Sequence, residues 1–190
     1  LKAPGISGYQ LLDLHDFPGQ GTALVGLLDA FWESKGVVSA RQFREFCAPV
    51  VPLVRYAKAA YAAGELFTAE VDISNYSAEA LENAALTWEL GDSEDGTFAS
   101  GTIGADIAQG YNRGLGRIAV ELAGIEKARK LTLTVGVEGT SYRNSWSVWV
   151  YPQADEDRSG DVRITDDLNT AMAELEKGGK VLLLLDWRYT

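Results

Sequence analysis

The chain has 190 residues, of which 27 are acidic and 17 basic, and its formal net charge is −10 at pH 7. This charge argues against a nucleic acid or an anionic membrane surface as a partner, because both would repel the chain. No apolar run approaches the roughly 20 residues that span a bilayer. Cys47 is the only cysteine, so the core must form without an intrachain disulfide.

Residues 1–63 mix strand and helix patterns. The apolar run at 9–14 predicts a strand that ends at His15 and Asp16, and His15 is the only histidine in the sequence. The pattern then predicts a helix over 22–32, capped by its first threonine and apolar along one side. A strand followed by a helix, with polar residues where the strand ends, is one unit of a (β/α) barrel.

A second helix is predicted over 40–48, capped by Ser39 and ended by Pro49. We therefore expect residues 1–63 to hold a strand–helix–helix remnant of a barrel. The apolar faces of these helices would have no barrel neighbours within this chain, so they are expected either to repack on the sandwich or to associate with another chain.

The pattern changes in residues 64–153, where apolar and polar residues alternate. The clearest runs are FTAEVDIS (67–74) and KLTLTVGVE (130–138), and in the first run Asp72 and Ser74 fall on the side that would face water. The further predicted strands are 84–90, 97–103, 116–122 and 143–151. Half a dozen short antiparallel strands in about 90 residues predict a mainly β fold, an immunoglobulin-like antiparallel β-sandwich.

Residues 154–190 begin with a charged stretch that contains Gly and Ser and is typical of a linker. VRIT (162–165) predicts a strand, a helix capped by Thr165 or Asp166 follows it, and 181–185 predicts a buried parallel strand. One right-handed βαβ unit has too little core to form a domain. We therefore expect the start of a truncated α/β domain, in a chain cut from a longer protein.

The motifs point to neither a metal nor a cofactor. His15 has no second histidine or cysteine cluster with which to bind a metal. The turn PGQGTALVG (18–26) lacks the lysine and the spacing of a P-loop and does not match G-x-G-x-x-G. Adjacent residues on a strand point to opposite faces, so His15 and Asp16 are not expected to act on one atom. Their place at a predicted strand end favours a position in the lining of a pocket.

The aromatic residues of the last predicted sandwich strand divide between its two faces. Alternation places Trp146 on one face and Trp149 and Tyr151 on the other. One set is expected in the core, while the other would form an interdomain contact or a platform on which sugar rings stack. Trp88, in the run 84–90, is expected in the core as well.

Three stretches together resemble glycoside hydrolase family 2. The stretch GYQLLDLHDFPGQGTALVGLLDAFWESKG (8–36) resembles the last strand and loop of that family's catalytic TIM barrel. FREFCAPVVPLVRY (43–56) resembles the exit from the barrel, and the strands of 66–152 are similar to the immunoglobulin-like sandwich that follows it. The resemblance covers essentially the whole chain, although no single catalytic signature is present.

This resemblance implies a retaining exo-β-glycosidase as the parent protein, with a carbohydrate substrate and a periplasmic or secreted location. In that family the acid/base and nucleophile glutamates come from earlier barrel strands, so the fragment itself would be inactive and its main partner would be the rest of the parent chain. His15, Asp16, Phe17 and Gln20 would face the sugar subsite at the barrel rim. None of the four is a family catalytic residue.

Two other functions remain open on the sequence. The exposed aromatics of the strand Arg143–Tyr151 would suit a carbohydrate-binding module. An immunoglobulin-like surface adhesion domain without an enzyme parent is the second alternative, and the barrel-like N-terminal stretch argues against it. No pair of carboxylates is marked by its spacing as a glycosidase acid and nucleophile.

Overall fold

A computed structural model describes residues 9–19, 21, 24–153 and 160–184. The chain divides into two compact units, one up to Pro152 and one from Gln153. The described residues are mainly β, in antiparallel sheets, which confirms the predicted fold class.

The described part of the first unit holds one helix and eight strands. They are α1 (Ala40–Phe46), β1 (Val50–Arg55), β2 (Ala60–Ala62), β3 (Leu66–Asn75), β4 (Leu81–Asp92), β5 (Gly96–Ile107), β6 (Gly110–Glu121), β7 (Arg129–Val137) and β8 (Arg143–Tyr151). One sheet has the order β1-β3-β6 and the other β2-β8-β7-β4-β5. All pairings are antiparallel except that of β2 with β8, which is parallel. Two such antiparallel sheets, with crossovers between them, are typical of immunoglobulin-like sandwiches.

One apolar core lies between the two sheets. Its side chains come from alternate positions of the long strands, so the period-two pattern predicted them correctly. The fully buried members include Phe67, Val71, Ile73, Leu86, Leu90, Ile118, Leu131, Leu133, Val135, Val148 and Val150. Burial of each large apolar side chain contributes about 1.5–3 kcal/mol, which lets the sandwich form by packing alone.

The sandwich begins at Val50, before the predicted boundary at residue 64. β1 pairs with β3, and β2 pairs with β8, so the predicted barrel remnant, residues 1–63, contributes a strand to each sheet. β1 shows no alternation because residues on both of its sides are buried. Pro52 is tolerated because β1 is an edge strand. Asn144, itself buried, ties the two sheets together by donating from Nδ2 to the carbonyl oxygen of Pro52 at 3.0 Å.

The predictions for residues before 39 are wrong where the structure describes them. No strand forms at 9–14, and His15 makes only an isolated bridge to Leu28. Residues 24–32 are not helical. An amphipathic helix draws most of its stability from tertiary packing, and here Phe31 is 84% exposed.

The second predicted helix is present as α1, and its first turn explains why. Ser39 accepts a hydrogen bond from Gln42 N, and the Gln42 side chain accepts one from Ser39 N, which together form a capping box. The helix is tied to the sandwich where the Ser145 hydroxyl donates to Glu45 at 2.9 Å.

The second unit is the predicted βαβ arrangement. β9 (Val162–Thr165) and β10 (Lys180–Leu183) are parallel, and α2 (Leu168–Glu176) connects them. The cap is Asp167, one residue beyond the predicted pair, and its carboxylate accepts from Thr170 N at 2.7 Å. Leu185, the last residue of the predicted strand, lies outside the described residues.

Candidate functional site

The carboxylate of Asp16 is occupied by contacts within its own segment. It is 6% exposed and accepts hydrogen bonds from Lys35 Nζ at 2.6 Å and Gly26 N at 2.9 Å. Lys35 is the main reason that the pKa of Asp16 is lowered. A Cβ atom on Gly26 would lie 2.3 Å from the backbone of His15, so the chain can fold back at this point only with a glycine. This carboxylate holds a loop closed.

His15 and Phe17 are neighbours of Asp16 in the sequence but belong to a different surface feature, which Asp16 does not line. With Leu12, Leu14 and Trp32 they line a surface hollow, and the rings of His15 and Trp32 have centroids 4.3 Å apart. His15 Nδ1 lies 2.6 Å from the carbonyl oxygen of Asp16. His15 is nevertheless close enough to the Asp16 carboxylate to contribute to lowering its pKa. Gln20, the fourth predicted rim residue, lies outside the described residues.

Trp149 and Tyr151 form an aromatic strip on the outer face of the five-stranded sheet. Their rings are 38% and 52% exposed, whereas Val148 and Val150 between and beside them are fully buried. On the β2 side, the residues paired with them are the small Ala60 and Ala62. On the other side, Lys130 Nζ lies 5.9 Å from the Trp149 ring centroid. The two alanines leave the strip uncovered on the β2 side, whereas Lys130 lies over the Trp149 ring on the β7 side.

A polar groove crosses the same outer face, and sequence reasoning missed it. The groove has a volume of about 630 Å³ and continues into a smaller hollow beside Lys130. Its lining is rich in hydroxyl groups and also holds the carboxylates of Glu89, Glu138 and, in the adjoining hollow, Asp92. The strand residues that contribute the other polar side chains are Thr87, Ser100, Thr102, Thr132, Thr134 and Arg143. Their alternation with core residues was visible in the sequence, but their juxtaposition depends on strand order. Such a surface offers donors and acceptors to a polyhydroxylated ligand.

Asp72 is a buried carboxylate with several hydrogen-bond donors, and its predicted place on the wet face is wrong. It is fully buried and accepts from Arg55 Nε and Tyr111 Oη, each at 2.6 Å, and from Gly114 N at 2.8 Å. Burial raises its pKa, but hydrogen bonds from Arg55, Tyr111 and Gly114 outweigh burial and lower it. Ser74 is buried on the same side.

These contacts give Asp72 a structural role. The pairing of β3 with β6 shifts register between Val71 and Ile73, where β6 has extra residues opposite Asp72. Asp72 satisfies the backbone N–H of Gly114 inside this bulge, and Gly114 has a φ of +67°. The carboxylate is fixed on all sides by the three strands of one sheet and is unsuited to proton transfer with a ligand.

Within the described ranges, no group of three or more His, Cys, Asp or Glu side chains is placed to hold a metal ion. No described helix is long and apolar enough to cross a membrane.

The first unit is therefore a β-sandwich module with two surface features on one sheet face, the aromatic strip and the polar groove. A family described as a domain of unknown function (DUF8488) matches residues 65–152, a little under half of the chain. This match covers most of the sandwich. No curated protein matches the chain.

Three solved structures are similar over part of the chain. The sporulation control protein Spo0M from Bacillus subtilis is 12% identical with a TM-score of 0.37, and the match covers 70% of this chain and 56% of that one. A β-glucosidase from Listeria innocua in complex with glucose is 14% identical, TM-score 0.36, covering 54% and 16%. The β-glucuronidase of Parabacteroides merdae is 12% identical, TM-score 0.36, covering 62% and 17%. This chain spans about half of the first protein and under a fifth of the two glycosidases.

Proposed function

We propose that the chain is the non-catalytic accessory part of a family 2-like β-glycosidase, in which the sandwich supports a neighbouring domain. One observation carries this proposal. The segment before α1 exposes large apolar side chains that a monomeric surface rarely leaves in water. The most exposed are Leu12, Leu24, Val25, Phe31, Trp32 and Val37. Exposed apolar surface of this kind marks an interaction site, and the sequence resemblance to the exit of a family 2 barrel supports a covalently linked domain as its partner.

The described carboxyls support a non-catalytic role. A retaining glycosidase needs a carboxylic acid with a raised pKa beside a carboxylate nucleophile. Every described carboxyl whose pKa departs from its usual value is shifted downwards by hydrogen bonds or by a cation. These are Asp16, Glu65, Asp72, Asp92 and Asp167. They are held ionised, as structural carboxylates are.

The first test is hydrolysis of a panel of nitrophenyl β-glycosides by this chain and by the full product of its gene. We expect turnover by the full product only, since the acid and nucleophile would lie in the barrel. A full product that hydrolyses none of the substrates would remove the glycosidase proposal. Hydrolysis by this chain alone would contradict the accessory role.

A second candidate function, carbohydrate binding, is favoured by the aromatic strip. The apolar face of a pyranose stacks on an exposed ring, and Ala60 and Ala62 leave the rings of Trp149 and Tyr151 open on one side. The hydroxyl-lined groove begins at Lys130, beside Trp149, so a sugar on the strip would have hydrogen-bonding groups next to it.

Affinity electrophoresis through gels that contain soluble glycans tests this candidate. If the strip binds sugars, at least one glycan retards the unmutated 190-residue chain. Trp149→Ala then weakens binding about tenfold or more, because a stacked ring contributes about 1–2 kcal/mol. Tyr76→Ala is the matched control, since Tyr76 is an exposed aromatic outside the strip. The same loss in both variants, or retardation by no glycan, would dismiss the strip as a sugar site.

A further inference from the structure

The free edges of the sandwich are protected in three places and open in one. Edge strands carry unpaired N–H and C=O groups, and proteins block them with proline, charges, bulges or short length. β1 contains Pro52, β2 has only three residues, and β6 carries a bulge and two arginines, Arg113 and Arg117. β5, the remaining edge, pairs with β4 in a regular register from Ala99 to Ala105 and has no charge and no proline there.

The core is also incompletely covered along β5. The inward side chains of the central strand β7, such as Leu133 and Val135, are fully buried. The corresponding side chains of β5, Ile103 and Ala105, pack on the core and stay partly exposed. A further strand laid against β5 would cover this apolar surface and pair its backbone groups.

We propose that β5 is a dimer interface, at which two copies of this chain pair their β5 strands antiparallel about a two-fold axis at Gly101. The sequence of the strand is complementary to itself in this register. Ile103 of each copy lies opposite Ala99 of the other, so a large side chain faces a small one. Ser100 lies opposite Thr102 on the exposed outer face, and Gly101 meets its own counterpart without a Cβ on either side. This proposal is independent of any glycosidase parent.

Charge sets the conditions for this pairing. Each copy carries a formal charge of −10, so the copies repel each other at low ionic strength. At one end of the edge lies an acidic turn, in which Asp92 and Asp95 both pair with Arg129. At the other end lies Asp106, whose carboxylate accepts from Asn83 N. Dimerisation is therefore expected to strengthen as salt screens the repulsion.

Analytical ultracentrifugation of the 190-residue chain tests the interface, at protein concentrations up to about 1 mM, where even weak pairing is populated. Measurements at about 50 mM and about 500 mM salt give the ionic-strength dependence. The double variant Ser100→Asp/Thr102→Asp would place an aspartate of one copy opposite an aspartate of the other at two positions of the interface. The double variant Ser100→Lys/Thr102→Lys would place lysines opposite each other at the same two positions. Each variant alone should raise the dimer dissociation constant about tenfold or more. An equimolar mixture of the two should restore dimers, because Asp then faces Lys.

Thr132→Asp/Thr134→Asp is the matched control, on the same outer face but on the central strand β7. It changes the net charge equally, and Thr134, like Ser100, is paired with Glu89. This control variant should dimerise as strongly as the unmutated chain. A cooperative thermal unfolding transition for each variant shows that it folds. The proposal is overturned if the unmutated chain stays monomeric at high salt. It is also overturned if the control substitutions weaken the dimer as much as the edge substitutions do. A mixture that fails to restore dimers also overturns it.

Discussion

Replacing Asp72 with alanine is expected to lower the free energy of unfolding by about 3–5 kcal/mol at pH 7. The substitution leaves the Arg55 guanidinium, the Tyr111 hydroxyl and the Gly114 N–H without the acceptor that each now uses. It also removes the group that satisfies the backbone inside the bulge of β6. Urea unfolding followed by far-UV circular dichroism measures the loss.

Glu70→Ala is the control for this prediction. Glu70 lies two residues away on the same strand and reaches the same guanidinium at 3.2 Å, but its side chain is half exposed. An exposed pair contributes about 0–1 kcal/mol. Equal losses for the two substitutions would show that burial and the bulge add nothing to the role of Asp72.

The same carboxylate gives stability a defined pH dependence. The folded-state pKa of Asp72 is lowered, so its contribution is complete above the unfolded-state pKa of about 3.9 and is lost as pH falls through the folded value. The difference in the free energy of unfolding between the unmutated chain and Asp72→Ala should therefore be constant at neutral pH and shrink below about pH 4.

The sandwich strands could be predicted because local alternation reports which side of a strand is buried. β3, β7 and β8 each place apolar residues on one face over most of their length, and the structure buries those faces. β1 could not be recognised in this way, since its residues are buried on both sides and the pattern loses its period. The helix predicted before residue 33 failed for a different reason, because the described residues of its apolar stripe, such as Leu24 and Phe31, stay exposed to water.

Single side chains were predicted well only where one strand decided the outcome. Alternation along β8 separates Trp149 and Tyr151 from the buried Val148 and Val150, as the structure has them. The burial of Asp72 depends on Arg55 and Tyr111, which are 17 and 39 residues away, and on a bulge that no local pattern announces. The polar groove likewise depends on the order of β4, β5 and β7 in the sheet.

The contact between Trp88 and Gly101 is expected to show strong energetic coupling. The two residues are paired on β4 and β5, and a Cβ atom on Gly101 would lie 2.8 Å from the indole ring. Gly101→Ala should therefore destabilise the fold by about 1–3 kcal/mol, because the ring has to move. Trp88→Ala should cost about 2–4 kcal/mol, less than a fully buried tryptophan, since the ring is only partly buried.

The double-mutant cycle separates the steric clash from other effects of the alanine. Once Trp88 is alanine, Gly101→Ala should cost less than about 1 kcal/mol, which leaves a coupling energy of about 1–2 kcal/mol. Gly104→Ala is the matched control on the same strand, because its Cβ would meet no atom within 4 Å. It should change stability by under about 0.5 kcal/mol, or raise it slightly by restricting the unfolded chain. If Gly101→Ala proves as harmless as Gly104→Ala, the indole ring does not lie over Gly101, and the packing at this end of the core differs from the structure described.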